Sequence, residues 1–204
     1  EDLAKVQSLG ARYAHGEVSL GEAAATACRA CASPGGGCQF LGTAASSQVM
    51  GEALGMSLPH SALSPSGAQI WRDLAMRSGR AAMHLAEEKM TLSNILTEAS
   101  FRNAMIMHAA FGGSTNLILH LPAIAHAAGL PRPTVTEWKE ANQLVPRIVD
   151  ALPNGPQGYA TVQVFLAGGV PEAMLQLREF LDLDTLTVSG QTLGENLVWW
   201  EKSE

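Results

Sequence analysis

All three cysteines of this 204-residue chain fall within eleven positions, in the stretch CRACASPGGGCQF at 28–40. Sulfurs this close could hold zinc, form a redox dithiol or ligate an iron-sulfur cluster, and each chemistry makes its own demand. A structural zinc site takes four ligands, commonly as two spaced pairs; here there are three thiols and no histidine within twenty residues downstream of Cys38. A thioredoxin-type pair stands at a helix N-terminus, where the dipole lowers the thiol pKa. Cys28 and Cys31 instead share a face near the C-terminal end of an expected helix, where the dipole acts in the opposite sense. They read as structural thiols. Cys38 is set apart from them. The run Gly35-Gly36-Gly37 lets the backbone approach a bulky group, and a helical segment opening at Thr43 puts the thiol near a helix N-terminus that favours the thiolate. From the residues alone, Cys38 is either one ligand of an iron-sulfur cluster completed elsewhere or a buried, inert thiol.

The second stretch with chemical content is Gly112-Gly113-Ser114-Thr115-Asn116. Backbone amides at a glycine-led helix start can hold an anion such as a carboxylate. The same residues serve a plainer purpose if Ser114 or Thr115 caps a helix running from Leu117 to Ala128 and the glycines only permit close packing. His120 lies three residues into that helix and could face the same pocket. His108 and His126 carry no partner signal, and a satisfied or solvated imidazole is the reading for each.

The elements that must position these residues are mostly helices. Capping boxes, in which a Ser or Thr and a Glu or Gln three residues on satisfy each other's amides, occur at Ser19/Glu22, Ser66/Gln69, Thr134/Glu137 and Thr192/Glu195. The first opens a helix to about Cys31. The second opens one whose Ile70, Leu74, Ala81 and Leu85 form a core-facing stripe. Pro34 with its glycines, Gly112-Gly113 and the turn Pro153-Asn154-Gly155-Pro156 are breaks. Thr161 to Leu166 and Thr185 to Val188, short and rich in β-branched residues, are expected as strands, and Pro171 as the first residue of a helix to about Phe180. The eight methionines read as core filler, and Trp199-Trp200 as a surface packed against further chain.

At 47% hydrophobic residues the chain can bury a substantial core. Its net charge is −6 and the 13 basic residues are scattered, which leaves no electrostatic footprint for nucleic acid. The longest apolar run, Leu117 to Leu130, is interrupted by His120, Pro122 and His126 and falls short of the roughly 20 residues that cross a bilayer. With no secretory signal, a cytoplasmic setting with reduced thiols is expected. An opening on Glu1 and a charged end at Glu204 suggest an internal piece of a longer protein.

Three stretches bear on what that protein is. GEALGMSLPHSALSPSG at 51–67, FGGSTNLILHLPAIAHAAG at 111–129 and TVSGQTLGENL at 187–197 resemble the dihydroxy-acid and sugar-acid dehydratase family, in order and over nearly the whole chain. The intervals from Cys38 to Thr43-Ala44 and to Glu52-Ala53-Leu54-Gly55 are similar to the family's as well. Gly42-Thr43-Ala44 and the run from Ala32 to Phe40 resemble the sugar-acid branch, D-xylonate dehydratases in particular.

The resemblance implies a hydro-lyase that takes water from a 2,3-dihydroxy acid, D-xylonate favoured, to leave a 2-keto-3-deoxy acid. The alternatives are another aldonic or branched-chain dihydroxy acid, or a non-catalytic metal-binding or scaffold domain. It implies an iron-sulfur cluster, [2Fe-2S] favoured over [4Fe-4S], whose open iron acts as Lewis acid on the departing hydroxyl, and a Mg²⁺ that holds the carboxylate and C2 oxygen. Cys38 matches a cluster ligand. Gly113, Ser114, Thr115 and Asn116 are the candidates for the substrate pocket. The other cluster cysteines, the Mg²⁺ ligands and the serine base match no position in this chain, so the 204 residues alone are expected to be inactive. The implied fold is α/β, with 1–180 the helix-rich latter part of an N-terminal parallel-sheet domain and 181–204 the connection toward a second, β-rich domain. Partners are a small sugar acid and further copies of the same protein, as a dimer or tetramer, with neither nucleic acid nor membrane.

Overall fold

The computed structural model describes residues 3–31, 41–65, 68–153 and 155–203, and of residues 3–7 and 28–31 the backbone only. Cys38, Ser66 and the Cys28 and Cys31 side chains therefore lie outside the described residues.

Eleven α-helices follow in order among the described residues: α1 (Leu3–Ala14), α2 (Leu20–Cys31), α3 (Thr43–Ala53), α4 (Gln69–Glu87), α5 (Leu92–Ile95), α6 (Glu98–Phe111), α7 (Leu117–Ala127), α8 (Val135–Leu144), α9 (Thr161–Leu166), α10 (Gly169–Gln176) and α11 (Leu193–Glu201). Local chemistry explains many of their starts. Ser19 Oγ accepts from Glu22 N at 3.2 Å while Ser19 N donates to the Glu22 carboxylate at 2.8 Å, opening α2. Thr134/Glu137 and Thr192/Glu195 open α8 and α11 in the same way. Thr91/Asn94 and Thr97/Ser100 do so for α5 and α6, with an amide and a hydroxyl oxygen in the role usually taken by Glu or Gln. α4 begins at Gln69 with Ala68 at its N-cap.

Both expected strands are corrected. Thr161 to Leu166 is α9: Gln163 Oε1 accepts from Ala160 N at 2.9 Å, and Thr161 and Phe165, four apart, are the buried pair. That is helical spacing, and it overrides the β-branched composition. Thr185 to Val188 contributes a single antiparallel bridge, Leu186 to Thr192, and no strand occurs among the described residues. Its backbone is used in a turn, with Thr187 N donating to Gln191 O at 3.0 Å and Val188 N to Gly55 O at 2.8 Å. Pro171 sits in the first turn of α10, which starts at Gly169, and the helix gives way to a 3₁₀ turn at Arg178–Phe180. Proline is tolerated there because amides of the first turn have no intrahelical acceptor.

The core is built around α6. Every residue from Asn103 to Phe111 is buried, as expected of a helix apolar on nearly all sides. α3 and α8 pack on it, and Asn103 pins it to the later chain by donating to Asp182 O and accepting from Asp182 N, both at 2.8 Å. α4 stands apart. Of its expected stripe Leu74 is buried and Ile70, Ala81 and Leu85 are partly covered, and the helix borders an open cleft of about 630 Å³ with Met56, Leu58 and Ala62 across from it. The methionines divide: Met50, Met105, Met107 and Met174 are core, whereas Met76 and Met83 are exposed because they lie off the stripe. The tryptophans divide too. Trp200 is buried against His60, and Trp199 is exposed beneath the Arg77 guanidinium. No helix among the described residues is long and apolar enough to cross a membrane.

Candidate functional site

The loop 112–116 folds onto the first turn of α3. Gly112 ends α6 in the left-handed region, at φ 62°, and its amide closes on Ala109 O at 3.1 Å. A Cβ there would lie 2.6 Å from Arg147 Cδ, and one on Gly113 would lie 2.6 Å from His108 Cδ2. Glycine at both positions lets the chain pass between these two side chains. Beyond them, Ser114 N donates to Ser46 Oγ at 2.8 Å, and the Ser114 and Thr43 hydroxyls lie 3.4 Å apart. Asn116 Nδ2 donates to Thr43 Oγ1, and Asn116 N to Ser114 Oγ at 3.3 Å.

α7 has Asn116 rather than Ser114 or Thr115 at its N-cap, without a side-chain cap bond; the Ser114 hydroxyl accepts from the Asn116 amide and also faces the Thr43 hydroxyl on α3. Gly113, Ser114 and Asn116 are thus gathered with Thr43 and Ser46 into one polar corner, and Thr115 is exposed beside it. His120 and His126 are exposed on α7; His108 is buried, with Nε2 2.9 Å from Ser114 O. The chain leading into α3 is tied down as well: Leu41 N donates to Leu152 O, and Leu152 N to Tyr159 O at 2.8 Å.

The other end of α3 carries a buried carboxylate. Glu52 is 6% exposed and accepts from the amides of His60 at 2.7 Å, Ser61 at 3.2 Å and Ala62 at 2.9 Å. Burial pushes its carboxyl up to about 7, against the pull of those three donors toward the ionised form. The loop it holds bends through left-handed residues, His60 at φ 60° and Leu63 at φ 64°. His60 stacks on Phe165 at 4.1 Å with the rings 3° from parallel, and its Nε2 lies 3.0 Å from Phe165 O. Burial holds its pKa below the ordinary histidine value. Just past α3, Gly55 at φ 77° passes so close to Leu186 O that a Cβ would sit 2.7 Å from it. There the segment 187–197 closes on itself: Asn196 Nδ2 donates to Thr187 Oγ1 at 2.9 Å, and Ser189 Oγ to Asn196 Oδ1 at 3.0 Å.

The three stretches singled out in the sequence therefore meet on α3, 111–116 at its start and 55–62 with 187–197 at its end. The family described as dihydroxy-acid/6-phosphogluconate dehydratase N-terminal matches residues 1–196. The chain belongs to this family. It is 60% identical over its whole length to the D-xylonate dehydratase YagF of Escherichia coli K12, and 58% identical to YjhG of the same strain, also a D-xylonate dehydratase. Dihydroxy-acid dehydratase 1 of Methanosarcina acetivorans is 38% identical over 96% of the chain. The chain spans about a third of these relatives, 32% of each E. coli protein and 35% of the archaeal one. Cys38 and all the residues of the polar corner fall inside the family match.

Ser46 is a member of this arrangement that the sequence did not single out, and Thr43, Glu52 and His108 were named there without the partners they have here. Their partners are 68, 71, 8 to 10 and 6 residues away, several of them backbone groups, and no local pattern reports such pairings. Among the described residues, no group of three or more His, Cys, Asp or Glu side chains is placed to hold a metal ion.

Proposed function

We propose that the full-length protein is a cytoplasmic hydro-lyase that dehydrates a sugar acid, with D-xylonate the favoured substrate, to a 2-keto-3-deoxy acid. The observation that carries this reading is the seating of loop 112–116 on the first turn of α3, five residues after Cys38. It gathers the Thr43 and Ser114 hydroxyls and the Asn116 amide at the N-terminus of an 11-residue helix. Such a corner suits a hydroxylated anion. Hydroxyl and amide groups can exchange hydrogen bonds with the sugar hydroxyls, and the helix dipole favours the carboxylate. The 60% identity to a D-xylonate dehydratase supports the choice of substrate.

Cys38 is proposed as one ligand of an iron-sulfur cluster, [2Fe-2S] rather than [4Fe-4S], which with Mg²⁺ would supply the Lewis acidity that lets hydroxide depart. The described residues offer no ligand set of their own. The other cysteines, the Mg²⁺ ligands and the base that removes the C2 proton are assigned to the rest of the protein. What this segment does is bind and orient: Gly113, Ser114, Thr115 and Asn116 face the sugar acid, and α3 carries them in register with Cys38. In the whole protein, 1–180 would complete a parallel-sheet α/β domain and 181–204 lead to a second domain, in a homodimer or homotetramer.

Product formation by the purified full-length protein tests this, with D-xylonate compared against gluconate, arabinonate and a branched-chain dihydroxy acid. Xylonate is expected to have the highest kcat/KM, and residues 1–204 alone to give no product. A full-length protein that turns over none of these acids would defeat the reading. Iron and sulfide content of Cys38→Ser, measured anaerobically, is expected to fall by well over half, and unchanged content would remove Cys38 from the ligand set.

A further inference from the structure

His108 is an imidazole in a helix otherwise filled, from Ala104 to Phe111, by Ala, Met, Ile and Phe. A ring in such a place keeps its polarity only where a partner repays desolvation. Its Nε2 lies 2.9 Å from Ser114 O. A carbonyl only accepts, so Nε2 carries the proton and Nδ1 is a bare lone pair. Neither that Nδ1 nor the Trp138 Nε1–H, on an indole edge-on at 4.9 Å, has a hydrogen-bond partner among the described residues. A second proton on the ring would find no acceptor, and burial holds the pKa below the ordinary value. His108 is therefore a neutral donor with one fixed tautomer.

What it donates to is the centre of the polar corner. The Ser114 main chain is gripped on both sides, its carbonyl by His108 from α6 and its amide by Ser46 Oγ from α3 at 2.8 Å. Both holding side chains are buried, at 6% and 1% exposure. The imidazole also lies so close to Gly113 that a Cβ there would be 2.9 Å from Nε2. Leucine would fill the same space without the bond, so packing alone does not account for histidine at this position. We infer that His108, together with Ser46, is a positioning residue for dehydration: the pair fixes the Ser114 peptide and so aims the Ser114 hydroxyl and Asn116 amide at the substrate. This rests on the reading of 112–116 as the substrate pocket.

The test uses the full-length protein with His108→Leu, His108→Gln and Ser46→Ala. In His108→Leu the KM for D-xylonate is expected to rise about tenfold, the scale of one lost buried hydrogen bond, with kcat changed by less than about threefold. Glutamine, whose Nε2–H can reach the same carbonyl, is expected to return KM to within about threefold of wild type. An unchanged KM in His108→Leu, or a glutamine variant as impaired as the leucine one, overturns the assignment. Should the leucine variant not fold, Ser46→Ala carries the test with an expected rise of about fivefold, and an unchanged KM overturns it equally. Hydrogen exchange over 112–117 reads the clamp without reference to substrate. Exchange roughly tenfold faster than wild type is expected in Ser46→Ala and His108→Leu, and unchanged exchange overturns the clamp. Accelerated exchange in a protein that turns over no aldonic acid would uphold the clamp and defeat the functional reading instead.

Discussion

Glu52 shows how a single side chain can be central to this segment and silent in its sequence. Its partners are backbone amides, which have no letter of their own, and they lie eight to ten residues downstream on a loop. In one dimension it is only a member of the GEALG stretch. Its buried carboxyl is raised from 4.5 to about 7, so the folded state holds this proton more tightly than the unfolded chain. The group's contribution is most favourable below the unfolded pKa, declines as pH rises toward about 7, and is constant above it. Glu52→Gln is expected to remove that slope, so that the thermal midpoint of the full-length protein varies less between roughly pH 5 and pH 8 than in wild type. It is also expected to lower stability by about 1–3 kcal/mol, because an amide presents N–H to at least one of the three backbone donors. A variant with the wild-type slope would show that another group titrates. His108 was illegible for a related reason: nothing in the spacing of a helical histidine and a serine six residues later says that a glycine turn folds one onto the other.

At the scale of elements, legibility follows the range of the interaction. The capping boxes at Ser19, Thr134 and Thr192 are contacts across three residues, and the helices they open appear where those residues stand. The TVQVFL segment failed as a strand because its composition was weighed above the four-residue spacing of Thr161 and Phe165, which only the surrounding core makes decisive. The contact of the α3 terminus with the 187–197 segment is long-range, and its glycine is the testable part. Gly55 combines a φ of 77° with a Cβ position 2.7 Å from Leu186 O and 3.1 Å from Thr187 Cα, both backbone atoms that cannot swing aside. Gly55→Ala is expected to destabilise the full-length protein by about 2–4 kcal/mol in urea unfolding. A loss under about 0.5 kcal/mol would mean that the two segments separate at little cost.

At the scale of the molecule, the helix-rich character was legible and the expected parallel sheet has no counterpart among the described residues. α4 exposes apolar surface, with Trp71 at 50% on the open cleft and Met76 and Met83 at 54% and 63% elsewhere on the helix. Residues 1–204 alone are expected to bind a hydrophobic dye such as ANS more strongly, mole for mole, than the full-length protein does; equal binding would show that this face stays open in the whole. The tethering of α3 has a consequence for biosynthesis. Its start is held by 114–116 and its end by 187–197, both made after it. On a ribosome the start of α3 therefore gains its partners after about 75 further residues and its end only after about 150, the latter roughly eight to thirty seconds at about 5–20 residues per second.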